Sequence, residues 1–321
     1  MPYFMMSSRK LSAGEPGDAL SDTMTYYVAA DGPPGGLTDF SKWEKVTAAE
    51  FRKRLTDLSN TFPAVPDDAN EDQKHVSLFV HGYNTGWRAA VARYGDLCGQ
   101  LYSGRNGLGV LVLYTWPSDG SVAGYLPDRE DARESAPLLA EALVALYDHM
   151  IGMQRLAARD PDKQGKAKIS VIAHSMGNFV MQKALAIAAK KLNSPQLITL
   201  IHQLVMVAAD VDNDLFQKDQ PDTSDGSLMA NLCYRIGALY TGLDQVLGAS
   251  AGLKHFGTRR LGRSGLADSR AVWDNVFDMD VSALIDTTKS AHSAALESPK
   301  SLALIRKILI GVDRGVLARG G

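Results

Sequence analysis

The sequence predicts an α/β protein with a mostly parallel sheet that helices cover on both faces. Three observations predict this class. The chain has 321 residues and is 45% hydrophobic, which is ample for a buried core. Between residues 76 and 209, short runs rich in β-branched residues alternate with long helical patterns. These short runs are nearly continuous in apolar residues, as strands buried on both faces are.

The first 70 residues are predicted to pack on the core as an N-terminal lead-in. A polar start, rich in Gly and Pro, precedes an edge strand over residues 23–30. An amphipathic helix follows over 47–60, with Thr47 as its N-cap because a threonine side chain can accept a hydrogen bond from the first helical turn. Residues 61–75 are predicted to be a loop.

Residues 71–321 are predicted to form the main domain. Its last third is less regular than its middle, and two polar insertions, 210–227 and 254–265, are predicted as surface loops near the carboxyl ends of strands, where open α/β sheets bind ligands. The predicted strands are 76–80, 110–116, 168–173, 201–209, 231–241 and 271–281, and the predicted helices are 86–102, 128–156, 176–192 and 298–312.

Composition excludes several classes of partner. Lys and Arg number 34 against 36 Asp and Glu, a formal charge of -2, so no global basic field indicates nucleic acid or an anionic membrane. No apolar run reaches the roughly 20 residues of a membrane span, and we expect no transmembrane segment and a cytoplasmic protein. Cys98 and Cys233 each lie in an apolar stretch and are expected to be buried and reduced.

The segment VIAHSMGNF, residues 171–179, places Ser175 between a strand-like and a helix-like run. Ala173 and Gly177 flank it in an A-x-S-x-G pattern, close to the G-x-S-x-G nucleophile elbow, and His174 and Gly177 are counted as elbow residues. An elbow would place the Met176 N–H at the positive end of the following helix, where an oxyanion would develop. The alternative is a serine that only caps a helix.

A second motif, FVHGYNTGW over residues 79–87, precedes the serine by about 90 residues. A strand that ends in His81-Gly82 before a helix is where the same architecture supplies its second oxyanion donor, here expected to be the Tyr83 N–H. Gly82 allows close approach of a backbone, and His81 is counted as a supporting residue. The alternative is that both residues simply end a strand.

Six segments carry a resemblance to a known family. They are LFVHGYNTGW, YTWPSDGSVAGYLPDREDARESAPLL, VIAHSMGN, LVMVAADVDNDLF, TGLDQVLGAS and AHSAALESP. Together they resemble the bacterial branch of the α/β-hydrolase superfamily long catalogued as a domain of unknown function, over residues 73–312. The resemblance implies the α/β-hydrolase fold and a serine hydrolase with its triad in the order Ser, acid, His, and it implies no substrate.

In this fold the base follows the last strand, which leaves His255 and His292 of the seven histidines. His292 lies in a loop before the closing helix, where the base is expected, whereas His255 is predicted to be a solvated loop residue. Asp244 is the expected acid, and Asp210 is kept as the alternative. Asp244 follows the seventh strand and resembles the family's Asp, and Asp210 follows the sixth strand, a position used by some members.

The expected function is cleavage of small-molecule carboxylic esters of short to medium acyl chains through an acyl-serine intermediate, without metal or cofactor. Alternatives are a thioesterase, amidase or acyltransferase with the same triad, or a binding module without catalysis. Two weaker motifs are set aside. Asp210-x-Asp212-x-Asp214 lacks the Gly and Glu of a calcium loop, and RRLGR, residues 259–263, is predicted to be a solvated turn.

Overall fold

The structure, a computed structural model, describes residues 1–64, 73–118, 124–192, 198–286 and 288–320. The chain forms two compact units, Met1–Ile169 and Ser170–Gly321. The predicted boundary at residue 70 falls in a stretch outside the described residues and stays a prediction. In the described part of the chain, no helix is both long and apolar enough to cross a membrane.

Where the structure describes it, the first unit contains five strands in the order β3-β2-β1-β5-β4. β1 pairs antiparallel with β2 and β2 antiparallel with β3, whereas β1 and β4 each pair in parallel with β5. The strands are β1 (Tyr3–Ser12), β2 (Glu15–Ala29), β3 (Trp43–Val46), β4 (Lys74–Val80) and β5 (Gly109–Thr115).

Strand β1 corrects the prediction of an irregular polar start. Phe4 and Met5 are fully buried, and Phe4 stands opposite Val112 of β5 in the parallel register. The sequence pattern did not indicate this strand, because the polar residues Ser7, Ser8 and Arg9 are buried in it as well. Buried polar side chains need hydrogen-bond partners, and a sequence does not reveal those.

The described residues of the first unit also form the α-helices α1 (Ala48–Asn60), α2 (Trp87–Leu97) and α3 (Tyr125–Ala157). Thr47 caps α1 as predicted, with its hydroxyl accepting from the Glu50 N–H at 3.1 Å. The predicted helix over 86–102 ends earlier as an α-helix and continues as a π-helical turn, Cys98–Tyr102. Burial raises the pKa of the Cys98 thiol to about 12, which keeps it protonated.

The described part of the second unit contains four strands, in the order β6-β7-β8-β9, and each neighbouring pair is parallel. The prediction of an α/β fold with a mostly parallel sheet and helices is therefore confirmed. The elements are β6 (Ala167–His174), α4 (Gly177–Leu192), β7 (Ile201–Val207), α5 (Asp225–Leu232), β8 (Cys233–Tyr240), α6 (Gln245–Ala249), α7 (Leu261–Ser264), β9 (Val276–Asp280), α8 (Ala291–Ala294), α9 (Pro299–Leu309) and α10 (Arg314–Gly320). The first three residues of β6 precede the start of this unit at Ser170.

The two insertions are less exposed than predicted. Phe216 in the first insertion is fully buried, and α5 begins near the end of that segment. In the second, Arg260 and Leu261 are fully buried, so the prediction of a solvated basic turn was wrong. The predicted strand over 231–241 begins at Cys233 because the apolar residues before it belong to α5. A short apolar run fits a helix and a strand equally well.

Candidate active site

Ser175 lies at the sharp turn between the end of β6 and the start of α4. Its φ of 53° is in the left-handed region, which is unfavourable for a residue with a Cβ. The turn is held on both sides of the serine. The Ser175 N–H donates to the Val207 carbonyl at 3.0 Å, and the Ser175 carbonyl accepts from the Asp210 N–H at 3.2 Å. This strand, strained turn and helix match the geometry that the elbow motif predicts.

Small and polar neighbours make the turn possible. Ala173, which stands where the standard motif has Gly, is fully buried within β6. The Asn178 side-chain amide donates to the carbonyls of Ala173, Ser175 and Val207 at 3.0, 3.1 and 3.3 Å. Asn178 was not singled out from the sequence. The sequence feature that could have indicated it is a polar amide among the apolar residues that begin α4.

His292 lies on the short helix α8, and both of its ring nitrogens are bonded. Nε2 lies 2.8 Å from the Ser175 hydroxyl, and Nδ1 lies 2.7 Å from the Asp244 carboxylate. An ionised carboxylate only accepts hydrogen bonds, so the neutral imidazole carries its proton on Nδ1. Nε2 is then the acceptor that faces the Ser175 hydroxyl.

Asp244 is fully buried at the N-terminus of α6, and its two carboxylate oxygens have different partners. Oδ2 faces His292, and Oδ1 accepts from the Leu247 N–H at 2.9 Å. Asp244 is thus the N-cap of α6 while it bonds to the histidine. The second bond orients the carboxylate, because it fixes the rotation of the carboxyl group about its axis.

Asp210, the alternative acid, is also buried, but its carboxylate bonds to an arginine and a serine. Its Oδ1 accepts from Arg260 Nε at 2.8 Å and from the Ser250 hydroxyl at 3.1 Å. His255, the alternative base, follows the π-helical turn Ser250–Lys254, where its N–H donates to the Ser250 carbonyl at 3.1 Å. The structure therefore brings Ser175, His292 and Asp244 into one hydrogen-bonded row.

His174 packs directly against the candidate base. Its ring centroid lies 5.0 Å from that of His292, and its Nε2 lies 3.0 Å from the His292 main-chain carbonyl. A carbonyl only accepts, so Nε2 of His174 carries a proton. The residue before the candidate nucleophile thus holds the backbone of the candidate base.

The first unit contains the HGYNT segment that follows β4. His81 is fully buried, and its Nε2 accepts from the Trp116 N–H at 3.2 Å. The Thr115 hydroxyl lies 3.1 Å from the same nitrogen and accepts from Arg9 Nε at 2.8 Å, so it donates to His81. The His81 Nδ1–H then donates to the Gly82 carbonyl at 2.9 Å. Burial, with a smaller contribution from Arg9, lowers the pKa of His81 to about 3 and keeps the ring neutral.

This chain of bonds orients one peptide plane. The Gly82 carbonyl and the Tyr83 N–H belong to the same trans peptide and point in opposite directions, so a bond that holds the carbonyl also sets the direction of the N–H. His81 therefore orients the N–H of Tyr83. Arg9 of β1 donates to the Thr115 hydroxyl, so the N-terminal strand also helps to hold His81 in this orientation.

The next two residues of the segment are held by their backbone N–H groups. The Asn84 N–H donates to the Asp128 carboxylate at 3.2 Å, and the Thr85 N–H donates to the Ser118 hydroxyl at 3.1 Å. Ser118 in turn donates to Asp128 at 2.5 Å. Asp128 is fully buried, so it does more than favour the start of a helix, the only role that its acidic segment suggested.

Across the described ranges, no group of three or more His, Cys, Asp and Glu residues has the arrangement to hold a metal ion. Cys98 and Cys233 are buried free thiols. The expectation that the reaction needs no cofactor stays a prediction.

A family model described as "Alpha/beta hydrolase of unknown function (DUF900)" matches residues 64–311. Uncharacterized protein alr1448 of Nostoc sp. (strain PCC 7120) is 25% identical over 171 residues, which are 47% of this chain and 38% of that protein. The chain therefore spans less than half the length of this curated relative.

Solved structures give more distant likenesses. Aspergillus fumigatus lipase B has 14% identity and a TM-score of 0.43, over 80% of this chain and 57% of that one. Pyrobaculum calidifontis esterase has 12% identity and a TM-score of 0.35, over 83% and 93% of the two chains. These likenesses are too weak to carry an inference about the site. The family model covers most of the chain, and the protein belongs to the DUF900 family of α/β hydrolases.

Proposed function

We propose that this protein is a serine hydrolase that cleaves carboxylic esters of short to medium acyl chains through an acyl-serine intermediate. One observation carries the proposal. The Ser175 hydroxyl, the His292 imidazole and the buried Asp244 carboxylate form a continuous row with spacings of 2.8 and 2.7 Å. A serine that served only as a helix cap needs neither partner.

In the first half of the reaction, Ser175 attacks the acyl carbonyl while His292 Nε2 takes the hydroxyl proton. Asp244 keeps the other ring nitrogen protonated and stabilises the imidazolium that forms. The imidazolium then gives its proton to the leaving alkoxide, so the alcohol departs neutral and the acyl group stays on Ser175. In the second half, His292 activates a water that releases the acid and restores the serine.

The tetrahedral intermediates carry a negative oxygen that needs hydrogen-bond donors. The Met176 N–H is one candidate, because it stands at the start of the 16-residue helix α4, where backbone N–H groups have no helical acceptor and the dipole is positive. Tyr83 supplies the second candidate N–H, on the basis of the His-Gly motif. The N–H groups of Met176 and Tyr83 are therefore proposed as the two oxyanion donors.

Between the two candidate acids, the contacts favour Asp244. It bonds to the nitrogen of His292 that faces away from Ser175, as the orienting acid of a triad does. Asp210 has Arg260 as its partner, and its carboxylate is held by that ion pair. We therefore assign the acid role to Asp244 and a structural role to the Asp210 side chain.

The test is reaction with a fluorophosphonate, followed by intact mass and peptide mapping, on the wild type and on Ser175→Ala. A single adduct on Ser175, absent from the variant, is the expected result. Hydrolysis of p-nitrophenyl esters of increasing length then measures the acyl preference, with thioester and amide substrates beside them to test the thioesterase and amidase alternatives. A folded wild type that forms no adduct would contradict the proposal and favour a binding module.

A further inference from the structure

Residues 260–263, Arg-Leu-Gly-Arg, bond to both of the segments that carry Ser175 and Asp244. They lie between α6 and β9 in the second unit, and the last three belong to α7. Their contacts are of two kinds, one on the side of Ser175 and one on the side of the acid Asp244. Arg260 bonds to the residue that holds the serine backbone, and Arg263 bonds to the backbone of the acid.

On the serine side, the Arg260 guanidinium surrounds Asp210. Nε donates to the Asp210 carboxylate at 2.8 Å and Nη2 to the Asp210 main-chain carbonyl at 2.5 Å, while Nη1 bonds to Asp212. The N–H of Asp210 donates to the Ser175 carbonyl at 3.2 Å. Arg260 thus fixes the residue whose backbone supports the strained turn at the serine.

The centre of the segment touches the chain that follows β7. A Cβ on Gly262 would lie 2.1 Å from the carbonyl carbon of Ala208 and from the nitrogen of Ala209, so only glycine fits. The Gly262 N–H donates to the Ala209 carbonyl at 2.9 Å, and its carbonyl accepts from the Thr241 N–H at 3.1 Å. Gly262 therefore joins the ends of β7 and β8 through their backbones.

On the acid side, Arg263 Nη1 donates to the Asp244 main-chain carbonyl. The same carbonyl accepts from the Gly248 N–H at 3.1 Å, and the guanidinium lies over Gly248, where a Cβ would be 2.6 Å from Nη1. The carboxylate of Asp244 is held by the Leu247 N–H. Arg263 therefore fixes the backbone from which the acid reaches His292.

We propose that residues 260–263 form an arginine clamp that sets the distance and orientation between the serine turn and the acid, with Arg260 and Arg263 as positioning residues. The proposal rests on the proposed function, because it assigns the two arginines a role in that reaction. A ligand role for Arg260 is excluded by its surroundings. Its guanidinium is 0% exposed and bonds to the chain through three nitrogens, so an anionic substrate does not reach it.

The experiment compares Arg263→Met and Arg263→Lys with the wild type and with Arg259→Met. Arg259 is exposed and lies one residue before the clamp, which makes it the matched control. Three quantities are measured on each folded protein: kcat and KM for a p-nitrophenyl ester, the rate of fluorophosphonate labelling of Ser175, and hydrogen exchange of the backbone amides over residues 244–248.

Arg263→Met is expected to lower kcat and the labelling rate by about 10- to 100-fold, with KM nearly unchanged, because the clamp positions reacting groups without touching substrate. Arg263→Lys should recover part of the loss, since an ammonium can still donate to the Asp244 carbonyl. Exchange over 244–248 should be faster in Arg263→Met and unchanged in Arg259→Met, which should also keep the wild-type kcat.

For Arg260, the double variant Arg260→Met with Asp210→Asn avoids leaving a buried carboxylate without its partner. It should also lose kcat at nearly constant KM. Arg263→Met that labels and turns over like the wild type would overturn the clamp. A wild type that is never labelled would instead contradict the proposed function, and with it the clamp's role in catalysis. In that case the exchange data would still show whether Arg263 orders residues 244–248.

Discussion

Nε2 of His174 lies 3.0 Å from the main-chain carbonyl of His292, so the residue next to the candidate nucleophile is bonded to the backbone of the candidate base. The two rings also pack at 5.0 Å between centroids. His292 lies on a helix of only four residues, so this contact with His174 helps to hold that short helix in position.

We therefore predict that His174→Ala lowers kcat by roughly 10-fold with little change in KM, because His292 loses a support for its orientation. His174→Gln keeps an N–H donor and should retain more of the activity than His174→Ala. Steady-state kinetics on a soluble ester checks this. Equal losses in the two variants would show that the hydrogen bond to His292 is unimportant.

The two candidate acids should respond differently to the same substitution. Asp244→Asn is expected to lose about four orders of magnitude in kcat, because the amide no longer favours the productive tautomer of His292. Asp210→Asn should keep most of its kcat, because its N–H to Ser175 is unaltered. It should lose roughly 3 kcal/mol of stability, since Arg260 loses a buried carboxylate. Kinetics and urea unfolding of both variants separate these effects, and a larger kcat loss in Asp210→Asn would reverse the assignment.

The left-handed backbone at Ser175 predicts a difference between two inactive variants. Ser175→Gly removes both the hydroxyl and the Cβ, whereas Ser175→Ala removes the hydroxyl and keeps the Cβ at a φ of 53°. We expect Ser175→Gly to be about 1 kcal/mol more stable than Ser175→Ala. Urea unfolding at neutral pH measures the difference, and equal stabilities would mean that the turn stores no strain.

Burial of neutral His81 predicts a pH dependence of stability. Its pKa of about 3 in the folded protein lies below the ordinary value of 6.5, so between these values the unfolded state binds the proton and falling pH favours unfolding. Between about pH 6 and pH 3, this group should therefore lower the free energy of unfolding by up to about 1.4 kcal/mol per pH unit. His81→Gln should lose less stability than the wild type between pH 7 and pH 5, as measured by urea unfolding. Identical pH slopes would contradict the assignment of a buried neutral imidazole.

The sequence by itself determined the fold class, the family and most of the regular elements, because these depend on local patterns. Apolar periodicity placed the helix α1 with its Thr47 cap, and the strand-turn-helix around Ser175 is encoded by neighbouring residues. The His81-Gly82 pair after β4 was also recognised from the local sequence, whereas the hydrogen-bond partners of His81 were not.

Only the tertiary structure decided which distant residues meet. Asp210 and Asp244 both follow parallel strands, so position along the chain did not separate them. The bond from Asp244 to His292 and the ion pair from Asp210 to Arg260 join residues about 50 positions apart. The same reason explains why the sequence did not predict strand β1 and why Arg260 is buried although its segment was predicted to be solvated. A charged side chain is buried only when its partners are brought to it by the fold, and those partners lie far away in sequence.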